Sequence, residues 1–285
     1  MTVEELEALA KDEGSYRIFD IEQNGKKRSI QEPKPSLQRL HARIHLLLSR
    51  IETPDYLHSA IKGRSYVSNA RAHLNDGNVM KVDVKKFFRS VPRAAIYRFF
   101  LDHLKCAEHA AGLLANLLTI GGYLPTGSSS SPIMSYYAFK DMFDEIEVLA
   151  KAHDLKMTCY VDDLTISGQR ATPKLLYQIR QIIAKNGLKS HKIRYFTANR
   201  PKVITGVVIA KGKACLLNRR HLLIKEGYND LCVAGTPEKK LEILKVLISR
   251  VYEAAQIDTS WLPKAKILQS LRRDLKAQLS IAVGS

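Results

Sequence analysis

The stretch Thr158–Gly168, TCYVDDLTISG, sets two adjacent carboxylates, Asp162 and Asp163, between apolar and β-branched residues. Met157 to Tyr160 and Leu164 to Ser167 each read as a short strand, with the acidic pair at or near the turn between them. Adjacent carboxylates in apolar surroundings repel each other and are costly to desolvate, so a positive charge is expected beside them. A divalent metal is the usual answer, since Mg²⁺ takes one or two carboxylates plus substrate phosphates. The plain alternative is an acidic hairpin turn, because Asp is common at turns.

A third carboxylate shifts the balance. Val79-Met80-Lys81-Val82-Asp83-Val84 is a compact, mostly apolar strand pattern with Asp83 towards its C-terminal end, and Lys85-Lys86-Phe87-Phe88 follows at once. An Asp at the end of a buried strand is costly unless it is paired or metal-bound. Together Asp83, Asp162 and Asp163 give a carboxylate set on two predicted strand elements. Two-metal phosphoryl transfer needs such a set, to hold ions ~4 Å apart. Pairing of Asp83 with one of the many Lys or Arg side chains is the alternative.

Composition narrows the partner. The chain has 285 residues and a formal net charge of +17, from 45 Lys and Arg against 28 Asp and Glu. Such an excess implies a polyanion, with nucleic acid first. An anionic membrane surface competes, but the basic residues are spread through the chain and not gathered on one amphipathic helix. No apolar run approaches the roughly 20 residues that span a bilayer, and Met1-Thr2-Val3-Glu4-Glu5 does not read as a signal peptide. Cys106, Cys159, Cys215 and Cys232 are scattered without zinc spacing, as expected of reduced thiols in a cytoplasmic protein.

Around these strands the sequence predicts a short helix over Val3–Lys11 and a hairpin of Tyr16–Glu22 and Lys27–Gln31 turning at Asn24-Gly25. Lys26, Lys27 and Arg28 sit on or beside that turn, either as a solvated basic turn or as a finger that grips phosphate. Helical spacing follows from Leu37 to Ile51. Asn69 and His73, four apart, would share a helical face; a lone His is more often structural than catalytic. Helices are expected over Ala94–His103 and Ala107–Leu118. A small-residue loop, Gly121 to Ser131, then leads into one helix from Pro132 through Leu149. Small residues let a backbone approach a ligand closely. Pro173–Lys185 reads as a helix and Lys189, His191, Lys192 and Arg194 as a basic strip. Val203–Ile209 reads as a strand, and a basic helical region starts near Asn218, with helices over Glu238–Ala254 and Lys264–Leu279.

Taken together, these segments resemble a reverse transcriptase, and specifically the bacterial retron type, over roughly Tyr16 to Leu279. Tyr160-Val161-Asp162-Asp163 is similar to the family's Tyr-x-Asp-Asp box, and Val82-Asp83 with Phe87-Phe88 to its first metal-binding motif. Leu124-Pro125-Thr126-Gly127 with Ser131-Pro132 resembles the Leu-Pro-Gln-Gly…Ser-Pro motif, and Gly187-Leu188…Lys192 the Gly-Leu…Lys motif. Asn69-Ala70-Arg71-Ala72-His73 matches the Asn-Ala-x-x-His signature of retron enzymes, and Ile204-Thr205-Gly206 is close to their Val-Thr-Gly signature.

The resemblance implies roles. Asp83, Asp162 and Asp163 hold two Mg²⁺ ions, helped by the carbonyl of Val84. Arg28, with Lys26 as the weaker candidate, binds the incoming triphosphate, Phe88 is the steric gate against a ribose 2′-OH, and Thr126 and Gly127 line the nucleotide. Lys192 donates a proton to pyrophosphate, while Asn69, His73, Thr205 and Gly206 serve RNA binding. Thr126 stands where the family usually has Gln, and Ser190 and His191 where Asn is usual.

The fold implied is an α+β right-hand polymerase. Fingers cover 1–78, with part of 94–130 packing alongside. An antiparallel-sheet palm with the YVDD hairpin covers 79–217, and a basic helical thumb 218–285. The implied function is copying of the protein's own structured non-coding RNA into short single-stranded DNA. That DNA is primed from a 2′-OH to give a branched RNA–DNA product, and the setting is antiphage defence. Partners implied are that RNA and its DNA product, dNTPs and an effector or toxin protein, with no membrane. The rival readings are another defence-associated or template-independent reverse transcriptase, and a catalytically idle scaffold whose RNA/DNA binding restrains a toxin.

Overall fold

The computed structural model describes residues 1–284 apart from Asn24 and Asp76, and leaves out the side chains of Glu13, Gln23, Lys26 and residues 281–284. The expected turn at Asn24-Gly25 and the Lys26 side chain therefore lie outside the described residues. In chain order the elements are α1 (Val3–Lys11), β1 (Tyr16–Gln23), β2 (Lys26–Pro33), α2 (Pro35–Leu48), α3 (Tyr66–Arg71), β3 (Asn78–Val84), α4 (Phe87–Ser90), α5 (Arg93–Arg98) and α6 (Glu108–Leu117). There follow α7 (Ser131–Tyr137), α8 (Lys140–Lys151), β4 (Lys156–Tyr160), β5 (Asp163–Gly168), α9 (Pro173–Lys185), β6 (Ser190–Phe196), β7 (Lys202–Ile204), β8 (Val207–Ala210), β9 (Lys213–Cys215), α10 (Asn218–Val233), α11 (Pro237–Ile257) and α12 (Leu262–Gly284).

Two compact units result: Met1–Ser65 with Gly77–Ala198, and Tyr66–Asp76 with Asn199–Ser285. This division differs from boundaries at 78 and 217, since residues 66–76 join the C-terminal unit and the first hairpin shares a unit with the central sheet.

In the first unit a four-stranded antiparallel sheet runs β4-β5-β3-β6. Strand alternation sends Met80, Val82 and Val84 to one face, where they pack with Leu164, Ile166 and Met157 against Ile133, Phe143, Ile146 and Ile179 of α7, α8 and α9. Opposite, Lys81 pairs with Thr165 and Asp83 with Asp163. The β4 edge is capped by chain, with Cys159 N donating to Tyr56 O at 2.7 Å and His58 N to Cys159 O at 2.9 Å. Local chemistry sets the flanking helices: Thr2 and Glu5 close a capping box on α1, while Thr172 and Pro173 start α9 and Gly187, at φ +75, follows its end.

Three expected elements differ. The helix from Pro132 to Leu149 is two, α7 and α8, broken at Ala138-Phe139 where Phe139 takes φ −128. Val203–Ile209 is not one strand, because Thr205 (φ +42) and Gly206 (φ +82) turn the chain between β7 and β8. The basic strip at 189–194 contributes an edge strand, β6, paired to β3.

In the second unit, β7-β8-β9 form a small antiparallel sheet, and α10–α12 pack in sequence through Leu244, Leu247, Val251 and Leu268, all buried. Thr205 Oγ1 donates to Tyr66 O at 2.7 Å, Arg71 Nη2 to Gln256 O at 2.9 Å, and Tyr66 Oη to Glu253 Oε1 at 2.9 Å. These bonds explain why the 66–76 segment belongs here. Among the described residues no helix is long and apolar enough to cross a membrane.

Candidate active site

Asp83 and Asp163 are cross-strand partners, and Asp162 lies in the turn that joins β4 to β5. The turn is tight: Val161, a β-branched residue, is held at φ +57, a conformation that persists only where surroundings over-determine it. One such restraint is the bond from Val84 N to Asp162 O at 2.8 Å, which docks the hairpin tip on the end of β3. The three expected carboxylates are thus brought to one end of one sheet.

Burial and mutual repulsion act on them. Desolvation, then the charge of Asp83, pushes the Asp162 carboxyl up to about 6. Desolvation also raises Asp163, opposed by Lys81. Cations answer the crowding: Lys81 Nζ is 2.9 Å from Asp163 Oδ2 and Lys192 Nζ 2.8 Å from Asp83 Oδ2. His191 Nδ1 sits 2.9 Å from Asp83 Oδ1 and 3.2 Å from Asp83 O.

Lys192 and His191 both reach Asp83 because β6 carries a bulge: Lys81 pairs with Arg194 and Asp83 with His191, so β6 spends one more residue than β3 between those pairs. Lys192 itself adopts φ +47, and an extra residue of this kind bends a strand and re-aims its side chains. Neither Lys81 nor His191 was assigned a role in the site by the sequence. For Lys81 a signal existed, since a residue two before Asp83 on a strand shares its face.

The donor set fits divalent ions. Asp163 Oδ1 is a buried oxygen without a hydrogen-bond partner among the described residues, Asp83 Oδ1 is buried beside His191 Nδ1, and hard oxygen ligands are what Mg²⁺ takes. Among the described residues no group of three or more His, Cys, Asp or Glu is placed to hold a metal ion by itself, so an ion here would need substrate phosphates and water to complete its shell.

The remaining expected residues fall in two other places. Thr126 Oγ1 accepts from Gln31 N at 3.1 Å and lies 3.2 Å from Ser29 O, and Gly127 N donates to Gln31 O at 2.9 Å. They join the loop before α7 to β2, on which Arg28 is exposed opposite Ile21. A Cβ on Gly127 would meet Gln31 O at 2.9 Å, so close approach of two backbones requires glycine there. Phe88 is half-buried and stacks on Phe87 at 6.5 Å. Asn69 and His73 are wholly buried in the second unit, where Asn69 Nδ2 lies 3.4 Å from Thr205 Oγ1. Gly206 O accepts from Arg220 Nη1 in the same unit.

Residues 11–209 match the family described as reverse transcriptase (RNA-dependent DNA polymerase). The chain belongs to that family. Its relatives include retron Se72 reverse transcriptase of Salmonella heidelberg (strain 579083-10), 29% identical over 55% of this chain and 42% of that protein. Retron Ec86 reverse transcriptase of Escherichia coli is 25% identical over 78% of this chain and 72% of that protein. Retron Mx162 reverse transcriptase of Myxococcus xanthus is 27% identical over 67% and 46%. The match thus spans less than half of the Se72 and Mx162 relatives and most of Ec86, and the relatives support the retron type.

Solved structures share the fold. A foamy viral protease-reverse transcriptase in complex with double-stranded DNA aligns with TM-score 0.53 and 13% identity over 90% of this chain and 39% of that one. Candida albicans telomerase in complex with a telomeric RNA fragment aligns with TM-score 0.51 and 11% identity over 90% and 60%. The α+β right-hand polymerase fold expected from the sequence is the fold found.

Proposed function

We propose that this chain is an RNA-directed DNA polymerase that copies part of its own structured non-coding RNA into short single-stranded DNA. It primes from a 2′-OH of that RNA, so the product is a branched RNA–DNA molecule. The observation that carries the reading is the convergence of Asp83, Asp162 and Asp163, with the buried Asp163 Oδ1 left without a hydrogen bond among the described residues, inside a reverse transcriptase family match. Retron relatives support the priming mode, and nucleic acid in both structural neighbours, with the +17 net charge, supports an RNA and DNA partner.

Asp83, Asp162 and Asp163, with the Val84 carbonyl, would hold two Mg²⁺ ions, which supply charge neutralisation for the attacking and leaving oxygens. Arg28, and Lys26 beside it, bind the triphosphate of a dNTP. Phe88 closes the space a ribose 2′-OH would need, and Thr126 and Gly127 set the hairpin root against the nucleotide. As the priming hydroxyl loses its proton to solvent water and its oxygen bonds to the α-phosphorus, the bond to pyrophosphate breaks, and the Lys192 ammonium gives its proton to that leaving group. Asn69, His73, Thr205 and Gly206 act on RNA indirectly, by shaping the second unit. We assign fingers, palm and thumb to 1–78, 79–217 and 218–285, an effector protein as further partner, and antiphage defence as the setting.

The test incubates the protein with Mg²⁺, labelled dNTPs and RNA co-expressed from its own locus, beside Asp162→Asn/Asp163→Asn. DNA made by the unaltered protein alone, and tied to RNA until a debranching enzyme is added, is the expected result. Unbranched DNA would keep the polymerase and discard the priming mode. RNA bound by both proteins with no DNA from either would leave a binding scaffold.

A further inference from the structure

Lys81 belongs to none of the motifs quoted above. It stands two residues before Asp83 on β3, so the two side chains leave the same face of the sheet. The register that opposes Lys81 to Thr165 and Asp83 to Asp163 makes Lys81 the diagonal neighbour of Asp163, within a long side chain's reach. The Lys81 ammonium meets Asp163 Oδ2 at 2.9 Å, with side chains only 15% and 20% exposed. Lys192 makes the matching contact on Asp83, again through Oδ2. The oxygen of Asp163 left buried and without a hydrogen bond among the described residues is Oδ1, whereas Asp83 Oδ1 faces His191 Nδ1 at 2.9 Å.

We propose that Lys81 is a positioning residue that makes Asp163 a one-oxygen ligand, occupying Oδ2 and leaving Oδ1 for a divalent ion. The inference rests on the metal-site reading above. An ammonium at this distance does two things at once. It fixes the carboxylate's rotation through a charge-assisted hydrogen bond, and it repels any further cation near Asp163. Mg²⁺ needs near-ideal octahedral geometry, whereas larger ions accept carboxylates that chelate through both oxygens. Holding one oxygen therefore favours the small ion and keeps its affinity modest. Without Lys81, Asp163 turns freely, offers both oxygens and binds divalent ions more tightly in a geometry less suited to transfer.

The experiment measures Mn²⁺ binding to the full chain by electron spin resonance, without nucleotide, for the unaltered protein, Lys81→Met and Lys81→Arg. Lys81→Met is expected to tighten Mn²⁺ binding by about tenfold, the effect of removing one neighbouring positive charge. Its kcat for nucleotide addition should drop by about tenfold, the scale of an outer-shell change, with the KM for dNTP unchanged. Lys81→Arg, which keeps the charge, should bind Mn²⁺ as the unaltered protein does, and melting curves confirm that each variant folds. Adding Asp163→Asn to Lys81→Met should abolish the tightening. Unchanged or weaker Mn²⁺ binding in Lys81→Met, while Asp162→Asn reduces it, overturns the role of Lys81 alone. Mn²⁺ binding that survives Asp83→Asn and Asp162→Asn overturns the metal-site reading, and Lys81's role with it.

Discussion

Two carboxylate sites in this chain show opposite uses of the same functional group. In the first unit, Asp83, Asp162 and Asp163 crowd one end of a sheet, and Asp163 Oδ1 is buried without a hydrogen bond among the described residues. In the second, Glu253 Oε1 takes both the Tyr66 hydroxyl at 2.9 Å and Arg220 Nη2 at 2.8 Å. Glu253 Oε1 joins α3 to α10 and α11. Asp163 keeps acceptor capacity in reserve, and that reserve separates a site for chemistry from a structural tie.

The largest effect expected to sharpen this contrast is that of Asp162→Asn. Steady-state DNA synthesis should fall by at least about a thousandfold, since a charge that stabilises the transition state is removed. The melting temperature without metal should stay level or rise, because a neutral amide relieves repulsion from Asp83. Loss of stability along with activity would break the contrast.

Glu253→Ala should do the reverse. Leaving Arg220 and Tyr66 without their acceptor is expected to cost about 1–3 kcal/mol in urea unfolding, while DNA synthesis per folded molecule at low temperature stays close to the unaltered rate. A similar loss, about 1–3 kcal/mol, is expected for Gly127→Ala, whose new Cβ would press on Gln31 O and Glu32 Cα. Hydrogen exchange should then quicken in residues 29–32.

The smallest effect is in pH dependence. The Asp162 carboxyl is raised from 3.8 to about 6 in the folded chain, so its charged form is disfavoured by folding. The folded state binds more protons than the unfolded between those values, and stability without metal should rise as pH falls through that window. His58, lowered from 6.5 to about 4, and the buried His41 have the opposite sign. The measurement is therefore the difference between the unaltered protein and Asp162→Asn, and saturating Mg²⁺ should flatten that difference.

Much of this architecture was legible in local chemistry. Val3–Lys11 and Pro173–Lys185 carry capping residues and apolar spacing, and both helices form over those residues. Asp83, Asp162 and Asp163 were readable as carboxylates in strands too apolar for them. What escaped had weaker local marks. β6 is an edge strand carrying His191, Lys192 and Arg194, and its partner, β3, is more than a hundred positions away in the chain. No Pro or Gly marks the break at Ala138-Phe139, and the turn at Thr205-Gly206 sits inside an otherwise apolar, β-branched run. The burial of Asn69 and His73 was unreadable because it depends on long-range packing within the second unit.

The extra residue in β6 has a consequence for chain length. Between Leu188 and Phe196 the sheet counts residues as strictly as it reads their identities. Deleting Ile193 would restore even pairing with β3 and leave the Gly187-Leu188…Lys192 motif intact, yet Lys192 and His191 would no longer both face Asp83. In this segment spacing is itself inherited information, and an insertion or deletion there should be rarer than any single substitution.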